Sequence, residues 1–464
     1  MSTNVPAPDL ALQLDDVAGN QSSRVHAGLR AVILEGRIAA GTRLPSSRTL
    51  AEQLGLRRNA VVVAYEHLLS DGLAEARVGA GTYVSAQLPR GTVGAPAAPR
   101  LPAPRQAPFA LGRTHADPTT LRRLGAALRR RLASADPAWF GYGDPRGGRE
   151  LRAALAAHLA ATRGLRCDPD CILITSGTQQ ALRLCAEALL RPGDAIWLED
   201  PGYPAARRLF EAMGAGTVAV PVDAAGLMVE AGRRRAPHAR LAYVTPSHQF
   251  PTGVAMSMAR RVALLDWARE ADAWVLEDDY DSEFRYAGPP LTALAGIDGH
   301  ARVAYLGTFS KTLFPGLRIG FLVVPPTLLA PVCAARAATD RFPPAPLADA
   351  LAELLRDGSF AAHVRRMRSR YRAARDLVVD TLRSSSGGRL QVAVPEQGLH
   401  LVARLPPGLP AAEIRAAAEV DAWLLSDTRT VEAGADGLVL GFSGHEPAQL
   451  QRAAERLGQT VRRY

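Results

Sequence analysis

The sequence predicts an α/β protein in two separately folding parts. One is a small N-terminal part, mostly helical with one β-hairpin; the other is a large C-terminal part on a mostly parallel sheet. Three observations predict this. The stretch "LPRGTVGAPAAPRLPAPRQAP" has prolines at 89, 96, 99, 102, 104 and 108 and almost no large apolar side chain, so residues 88–108 cannot pack and should tether what flanks them. Before it, helix start and stop signals follow closely and end in an alternating, glycine-containing run. After it, from about residue 140, apolar β-branched runs alternate with helical stretches, the mark of strand–helix units with parallel strands. A chain of 464 residues exceeds what one core normally holds, which suits the division.

Composition narrows the classes. With 47% apolar and 22% charged residues the chain is of ordinary globular type. The net charge of +10 permits attraction to polyanions without saying where the charge sits. The N-terminal tail, residues 1–18, has no basic-then-apolar leader, and no run of about 18 apolar residues occurs, so a cytoplasmic protein with no membrane partner is expected. Four cysteines are too few for a disulfide framework, and Cys167 with Cys171 lacks a second Cys/His pair, so reduced thiols and no metal are expected.

Element by element, "RVHAGLRAVILEG" reads as an amphipathic helix ending at Gly36. "GTRLPSSRTLAEQLG" breaks at Pro45, offers Ser46 or Ser47 as N-cap and stops at Gly55. "LRRNAVVVAYEHLLSDG" follows at once. It sets Val61, Ala64, Tyr65 and Leu68 on one face and Arg57 and Arg58 in its first turn. Two short helices joined by a glycine turn form a helix-turn-helix, whose second helix presents its N-terminal residues to the major groove. "LAEARVGAGTYVS" supplies a winged hairpin turning at Gly79 and Gly81. Residues 19–87 resemble the GntR family of winged-helix regulators in "G-x-x-L-P-S-S-R-x-L-A-x-x-L-G-x-x-R-x-x-V-x-x-A-Y-x-x-L" followed by "G-x-G-T". The resemblance implies that Arg48, Arg58 and the wing around Arg77 and Gly81 meet double-stranded DNA. Arg57 and Ala60 stand where the family usually has Ser and Thr, and Arg57 adds a candidate phosphate contact.

In the large part, Lys311 is the single lysine of a chain with 55 basic residues. A guanidinium stays protonated and cannot condense with an aldehyde, whereas a desolvated amine can, so imine chemistry is suggested there. Its company fits. "ILITSGTQQALRLCAEALL" reads strand, turn, helix, and offers Ser176, Gly177 and Thr178 to a phosphate at a helix N-terminus. "WVLEDDYDSEFRY" ends an apolar strand in carboxylates, where open α/β sheets bind ligands. "AYLGTFSKTLFPGLRIGFLV" then brings Lys311 and Arg318. Phosphate cup, carboxylate, amine and arginine together match what pyridoxal 5'-phosphate requires.

With "YGDPRG", "SGTQQ", "EDPGYP", "TPSHQFPTG", "EDDY", "TFSK" and "GLRIG" in order, residues 109–464 resemble the fold-type-I aminotransferase family. That resemblance implies an internal aldimine at Lys311, Asp278 on the pyridine nitrogen, Tyr280 on the ring oxygen and Tyr203 stacked on the ring. It places Ser176, Gly177, Thr178, Thr308, Ser310 and Arg318 around the phosphate, with Tyr142 reaching the phosphate of a partner subunit. Two departures stand out. Family enzymes usually read "NPTG", the Asn bonding the ring oxygen; here Phe250 takes that place, leaving His248 or Gln249 as substitutes. The substrate-carboxylate arginine usual near the C-terminus is missing from "DGLVLGFSG", between Asp436 and Gly444.

The combination of winged helix, proline-rich tether and aminotransferase-like domain resembles the MocR subfamily of bacterial regulators. It implies a head-to-tail homodimer that binds operator DNA and senses a small-molecule amine, or pyridoxal phosphate itself. The alternatives are a working aminotransferase with an appended DNA-binding domain, and a binding module with a dead site. The missing arginine favours the regulator.

Overall fold

The structure, a computed structural model, describes residues 19–87, 107–134, 136–429 and 436–464; the tail 1–18 and the tether residues 88–106 lie outside the described residues. The chain divides into two compact units, Met1–Ala103 and Pro104–Tyr464.

In the first unit, α1 (Gln21–Leu34) is capped by Asn20, whose side chain accepts from the Ser23 amide. α2 (Ser47–Leu54) starts at Ser46 and stops at Gly55, whose φ of +65° ends the helix in the left-handed region. α3 (Arg58–Ser70) buries Val61, Ala64, Tyr65 and Leu68, the expected face. β1 (Ala74–Arg77) and β2 (Gly81–Val84) pair antiparallel as the hairpin. Val25, Leu29, Leu50, Val61, Leu68 and Val84 form their common core, and the Tyr65 hydroxyl donates to the Pro45 carbonyl at 2.7 Å, closing the turn before α2 onto α3.

The second unit opens with α4 (Pro118–Ser134) and α5 (Arg149–Arg163). It continues through β3 (Ile172–Thr175), α6 (Thr178–Leu189), β4 (Ala195–Asp200), α7 (Pro204–Ala212), β5 (Gly216–Asp223), β6 (Gly226–Leu227), α8 (Val229–Arg235), β7 (Leu241–Val244), α9 (Met258–Glu270) and β8 (Trp274–Asp279). Next come α10 (Leu294–Asp298), β9 (Val303–Thr308), α11 (Phe309–Thr312), β10 (Gly320–Val323), α12 (Pro326–Thr339), α13 (Ala345–Arg356) and the long α14 (Ser359–Ser385). The chain closes with β11 (Gln391–Val392), β12 (His400–Arg404), α15 (Ala411–Ala417), β13 (Trp423–Leu424), β14 (Gly437–Gly441) and α16 (Pro447–Arg463).

Eight strands form the large sheet in the order β3-β10-β9-β8-β7-β4-β5-β6. β9, β8, β7, β4 and β5 run parallel, and β10 runs antiparallel to both its neighbours, so β3 and β9 point the same way. The C-terminal ends of β3, β9, β8, β7 and β4 therefore open on one edge, where such sheets bind ligands. Both faces are covered, and alternate residues of one strand enter opposite cores. Trp197 lies in one and stacks on Trp267 with ring centroids 3.7 Å apart, while Ile196 and Leu198 lie in the other. A smaller antiparallel sheet, β11-β12-β14-β13, shares a third core with α14 and α16, into which Phe109 inserts completely buried. All four cysteines are free thiols, and burial pushes the Cys185 thiol up to about 12. Among the described residues no helix is long and apolar enough to cross a membrane.

Candidate functional site

In the first unit, the first turns of α2 and α3 are brought together by Arg58, whose Nε donates to the Ser47 hydroxyl at 3.3 Å. They carry Arg48, Arg57 and Arg58, all exposed. The Arg77 guanidinium lies 4.2 Å from the Tyr83 ring centroid at the exposed wing, where Arg77 pairs with Gly81. Arg43, bridged to Tyr83, is a further wing cation that the sequence reading did not single out. Its signal was absent because the contact joins residues 40 apart.

In the second unit, a cavity of about 290 Å³ opens at the C-terminal edge of the large sheet. Gly177, Thr178, Tyr203, Asp278, Tyr280, Thr308, Ser310, Lys311 and Arg318 line it, nine of the expected cofactor residues. Ser176 does not; its amide is held by the Gln180 side chain at 2.7 Å. Tyr142 lies on the surface, 81% exposed, its ring against Phe342 and Arg341. Leu111, Gly112, Tyr243, Thr245, Asp281, His400 and Trp423 also line the cavity and were not foreseen.

Strand alternation sorts the acidic run that ends β8. Glu277 accepts from the Leu294 and Ala295 amides, both at 2.8 Å, and Asp279 forms a buried ion pair with Arg163 at 2.7 Å. Those two are structural. Asp278, between them, turns to the cavity: Oδ2 accepts from the Tyr243 hydroxyl at 2.7 Å and Oδ1 is buried without a partner. Burial pushes its carboxyl up to about 7, against the Tyr243 hydrogen bond and the nearby Lys311 charge. A buried carboxylate oxygen with nothing to accept from calls for a cationic N–H donor.

Lys311 sits on α11, whose N-cap Thr308 accepts from the Ser310 amide at 3.1 Å. Burial lowers its amine below the usual lysine range, and Asp281 and Asp278 partly restore it. Gly112 passes so close that a Cβ there would stand 2.5 Å from Nζ. On the other side, Gly177 adopts φ +117° at the β3–α6 turn, and a Cβ on it would face the Arg318 guanidinium at 3.7 Å. The helix N-terminus and the arginine thus converge on one side of the cavity, an arrangement that suits an anion.

The ring-oxygen side is rearranged relative to the expectation. Neither His248 nor Gln249 lines the cavity. Gln249 is spent bracing its own loop, its Nε2 donating to the Pro201 carbonyl at 2.8 Å and its Oε1 accepting from the Thr252 hydroxyl at 2.6 Å. Phe250 does line the cavity, packed edge-on against Tyr203 and Trp423 with centroids 5.8 and 5.9 Å away. His248, Asp281 and His400 bring one side-chain polar atom each within 4.8 Å of one another, Asp281 and His400 lining the cavity and His248 not. His248 Nδ1 is engaged with Asp281 and His400 Nε2 with the Pro251 carbonyl, while His248 Nε2 is buried without a hydrogen-bond partner.

No arginine occurs on β14 or in residues 442–444. That segment instead carries the incoming strap: the Gly441 amide donates to the Phe109 carbonyl at 2.9 Å, and the Ser443 hydroxyl to the Arg113 carbonyl at 2.6 Å.

Comparison with known proteins bears on both units. Residues 21–84 match the bacterial regulatory proteins, gntR family, and residues 111–457 match aminotransferase class I and II. The "Probable rhizopine catabolism regulatory protein MocR" of Rhizobium meliloti is 37% identical over 451 residues, 92% of this chain and 91% of that protein. The "HTH-type pyridoxine biosynthesis transcriptional regulator PdxR" of Corynebacterium glutamicum is 33% identical over 445 residues, 93% and 94% of the two chains. Among solved structures, Pyrococcus horikoshii kynurenine aminotransferase, in complex with PMP, superposes with a TM-score of 0.70 at 28% identity, covering 76% of this chain and 90% of that one. The α-aminoadipate aminotransferase LysN of Thermus thermophilus, complexed with N-(5'-phosphopyridoxyl)-L-leucine, gives 0.69 at 28% identity, covering 76% and 91%. The chain therefore belongs to the MocR-type transcriptional regulators, in which a GntR-family DNA-binding domain is joined to an aminotransferase class I and II domain.

Proposed function

We propose that this regulator holds pyridoxal 5'-phosphate on Lys311 and uses its state to set how tightly the winged helix grips operator DNA. The observation that carries the reading is the partnerless Asp278 Oδ1, in a cavity that also holds the chain's one lysine and has no arginine on β14. When bound, the cofactor supplies an aldehyde carbon and an electron-withdrawing ring at which amines can be captured.

The protein's own groups do the rest. Asp278 holds a proton on the ring nitrogen, Gly177, Thr178, Thr308, Ser310 and Arg318 hold the phosphate with Ser176 behind them, and Tyr203 covers the ring face. Tyr280 donates to the ring oxygen. Burial, which lowers the Lys311 amine below the usual lysine range, increases the share of the unprotonated nucleophile. Arg48, Arg57, Arg58 and Arg77, with the backbone at Gly81, bind phosphates and groove edges. The active form is a cytoplasmic homodimer, with Tyr142 completing the partner's phosphate site. The effector is a small amine other than a simple α-amino acid, or the cofactor itself, because the usual carboxylate anchor is missing.

A working aminotransferase is the second reading, favoured by the completeness of the cavity and by the enzymes that share its fold. Operator affinity by fluorescence anisotropy, with and without cofactor, for wild type and Lys311→Ala decides. Cofactor should change wild-type affinity by about 1 to 3 kcal/mol and leave Lys311→Ala unchanged. Equal wild-type affinities, with steady release of keto acid, would put the enzyme first.

A further inference from the structure

Family enzymes place an asparagine on the ring oxygen, and here that position is Phe250; Thr245, the other side-chain donor of this loop that lines the cavity, has its hydroxyl hydrogen spent on Glu199 at 2.7 Å. What the loop offers instead lies one layer back. His248 and Asp281 have side chains only 1% exposed, and His248 Nδ1 lies 2.9 and 3.1 Å from the two Asp281 carboxylate oxygens. A carboxylate oxygen is an acceptor, so Nδ1 carries a hydrogen. Asp281 is itself held by the Leu399 amide at 3.2 Å. The imidazole fits only because residue 398 is glycine, at φ +87°: a Cβ there would stand 1.9 Å from His248 Cε1. The ring is clamped on both sides.

The Tyr280 hydroxyl lies 3.1 Å from the same Nδ1 and 3.1 Å from the His248 carbonyl. Since Nδ1 is a donor, the phenol oxygen accepts a share of that N–H and can donate its own hydrogen to the carbonyl or into the cavity. Tyr280 lines the cavity and His248 does not. Burial, and then the charges of Asp281, Asp278, Glu199 and Asp279, raise the Tyr280 phenol well above its usual range, so it keeps the proton it donates. Lys311 and His400 line the same cavity, and burial lowers the His400 imidazole to about 4. A phenol that accepts one hydrogen bond donates a stronger one.

Resting on the cofactor reading above, we propose that His248, clamped by Asp281, is a positioning residue that aims and strengthens the Tyr280 hydroxyl toward the cofactor's ring oxygen, in place of a direct asparagine donor. A weaker donor at that oxygen leaves more negative charge on it, which holds the neighbouring nitrogen's proton more tightly.

The test is the pH titration of the visible absorbance of pyridoxal phosphate bound to full-length protein, for wild type, His248→Phe, His248→Asn, Tyr280→Phe and the Tyr280→Phe/His248→Phe pair. His248→Phe should raise the apparent titration midpoint by about one pH unit, the worth of one hydrogen bond to a charged acceptor. Asparagine, which can place an amide nitrogen near the Nδ1 position, should restore most of it. Tyr280→Phe should raise the midpoint at least as far, and the pair no further than Tyr280→Phe alone, because His248 acts through the phenol. An unmoved midpoint in His248→Phe, or a full second shift in the Tyr280→Phe background, overturns the proposal. Wild-type protein that takes up no cofactor overturns the proposed function as well, whereas a normal wild-type titration with additive variants overturns this inference alone.

Discussion

Replacing Asp278 by asparagine should act in opposite directions on the protein alone and on its complex. In the protein alone, Oδ1 has no partner and the carboxyl sits at about 7 rather than 3.8, which corresponds to about 4 kcal/mol favouring the protonated form. The folded state thus binds this proton more tightly than the unfolded chain does. Its contribution to stability is greatest below the unfolded value and is lost as pH rises from about 4 to 7. Asparagine keeps the size, never ionises and removes that loss. Without cofactor, Asp278→Asn should therefore melt a few degrees above wild type at pH 8 and by less than half that margin at pH 5. Glu199 and Glu283, both also pushed up to about 7 by burial, titrate over the same window, so the difference between the proteins, not the profile of either, isolates Asp278. With cofactor the sign reverses, because removing one partner of a buried charged pair costs about 3 to 5 kcal/mol, of which the neutral amide recovers part. Affinity should fall by about 30- to 1000-fold, measured by absorbance titration. An asparagine variant that binds cofactor as wild type does, with an unchanged melting difference between pH 5 and 8, would refute the assignment of Asp278 to the ring nitrogen.

Gly112→Ala puts a Cβ 2.5 Å from Lys311 Nζ at a backbone φ of +77°, so cofactor uptake should drop at least about tenfold; equal uptake by equilibrium dialysis would mean the strap yields freely. Arg58→Ala should weaken operator binding and lower the slope of log affinity against log salt by about one, leaving the cofactor spectrum untouched. An unchanged slope would remove Arg58 from the DNA contacts. Leu68→Ala, in the fully buried core of the first unit, should cost about 2 to 5 kcal/mol in urea unfolding of that unit, and a cost below 1 kcal/mol would contradict the packing of α3. Sodium borohydride treatment of cofactor-loaded protein should attach the cofactor at Lys311, the one lysine side chain; peptide mass mapping to any other residue would sink the site.

The sequence by itself determined what depends on neighbours along the chain. Ser46, Gly55 and the spacing of Val61, Ala64, Tyr65 and Leu68 specify α2, the turn and α3 through capping and helical period, and these are as read. The turn after β3, the acidic end of β8 and the lysine after β9 were legible for the same reason, since each motif sits at the end of its own strand. The tertiary structure alone decided which of these groups meet and what each one faces. Glu277, Asp278 and Asp279 look alike in the sequence, yet two are consumed by α10 and Arg163, and only Asp278 turns to the cavity, because strand alternation becomes meaningful once a cavity lies on one face. Tyr243 contacts Asp278 from 35 residues away, across the β7–β8 pair. His248 looked like a substitute for the missing asparagine, but the turn at residues 249–251 aims Phe250 inward and leaves the imidazole to Asp281 and Tyr280. Gly112 carried no local signal at all. Its closeness to Lys311 exists only because the strap is laid along β14 by hydrogen bonds between residues more than 300 positions apart, and the strand order of a crossed-over sheet is not written in any one stretch of chain.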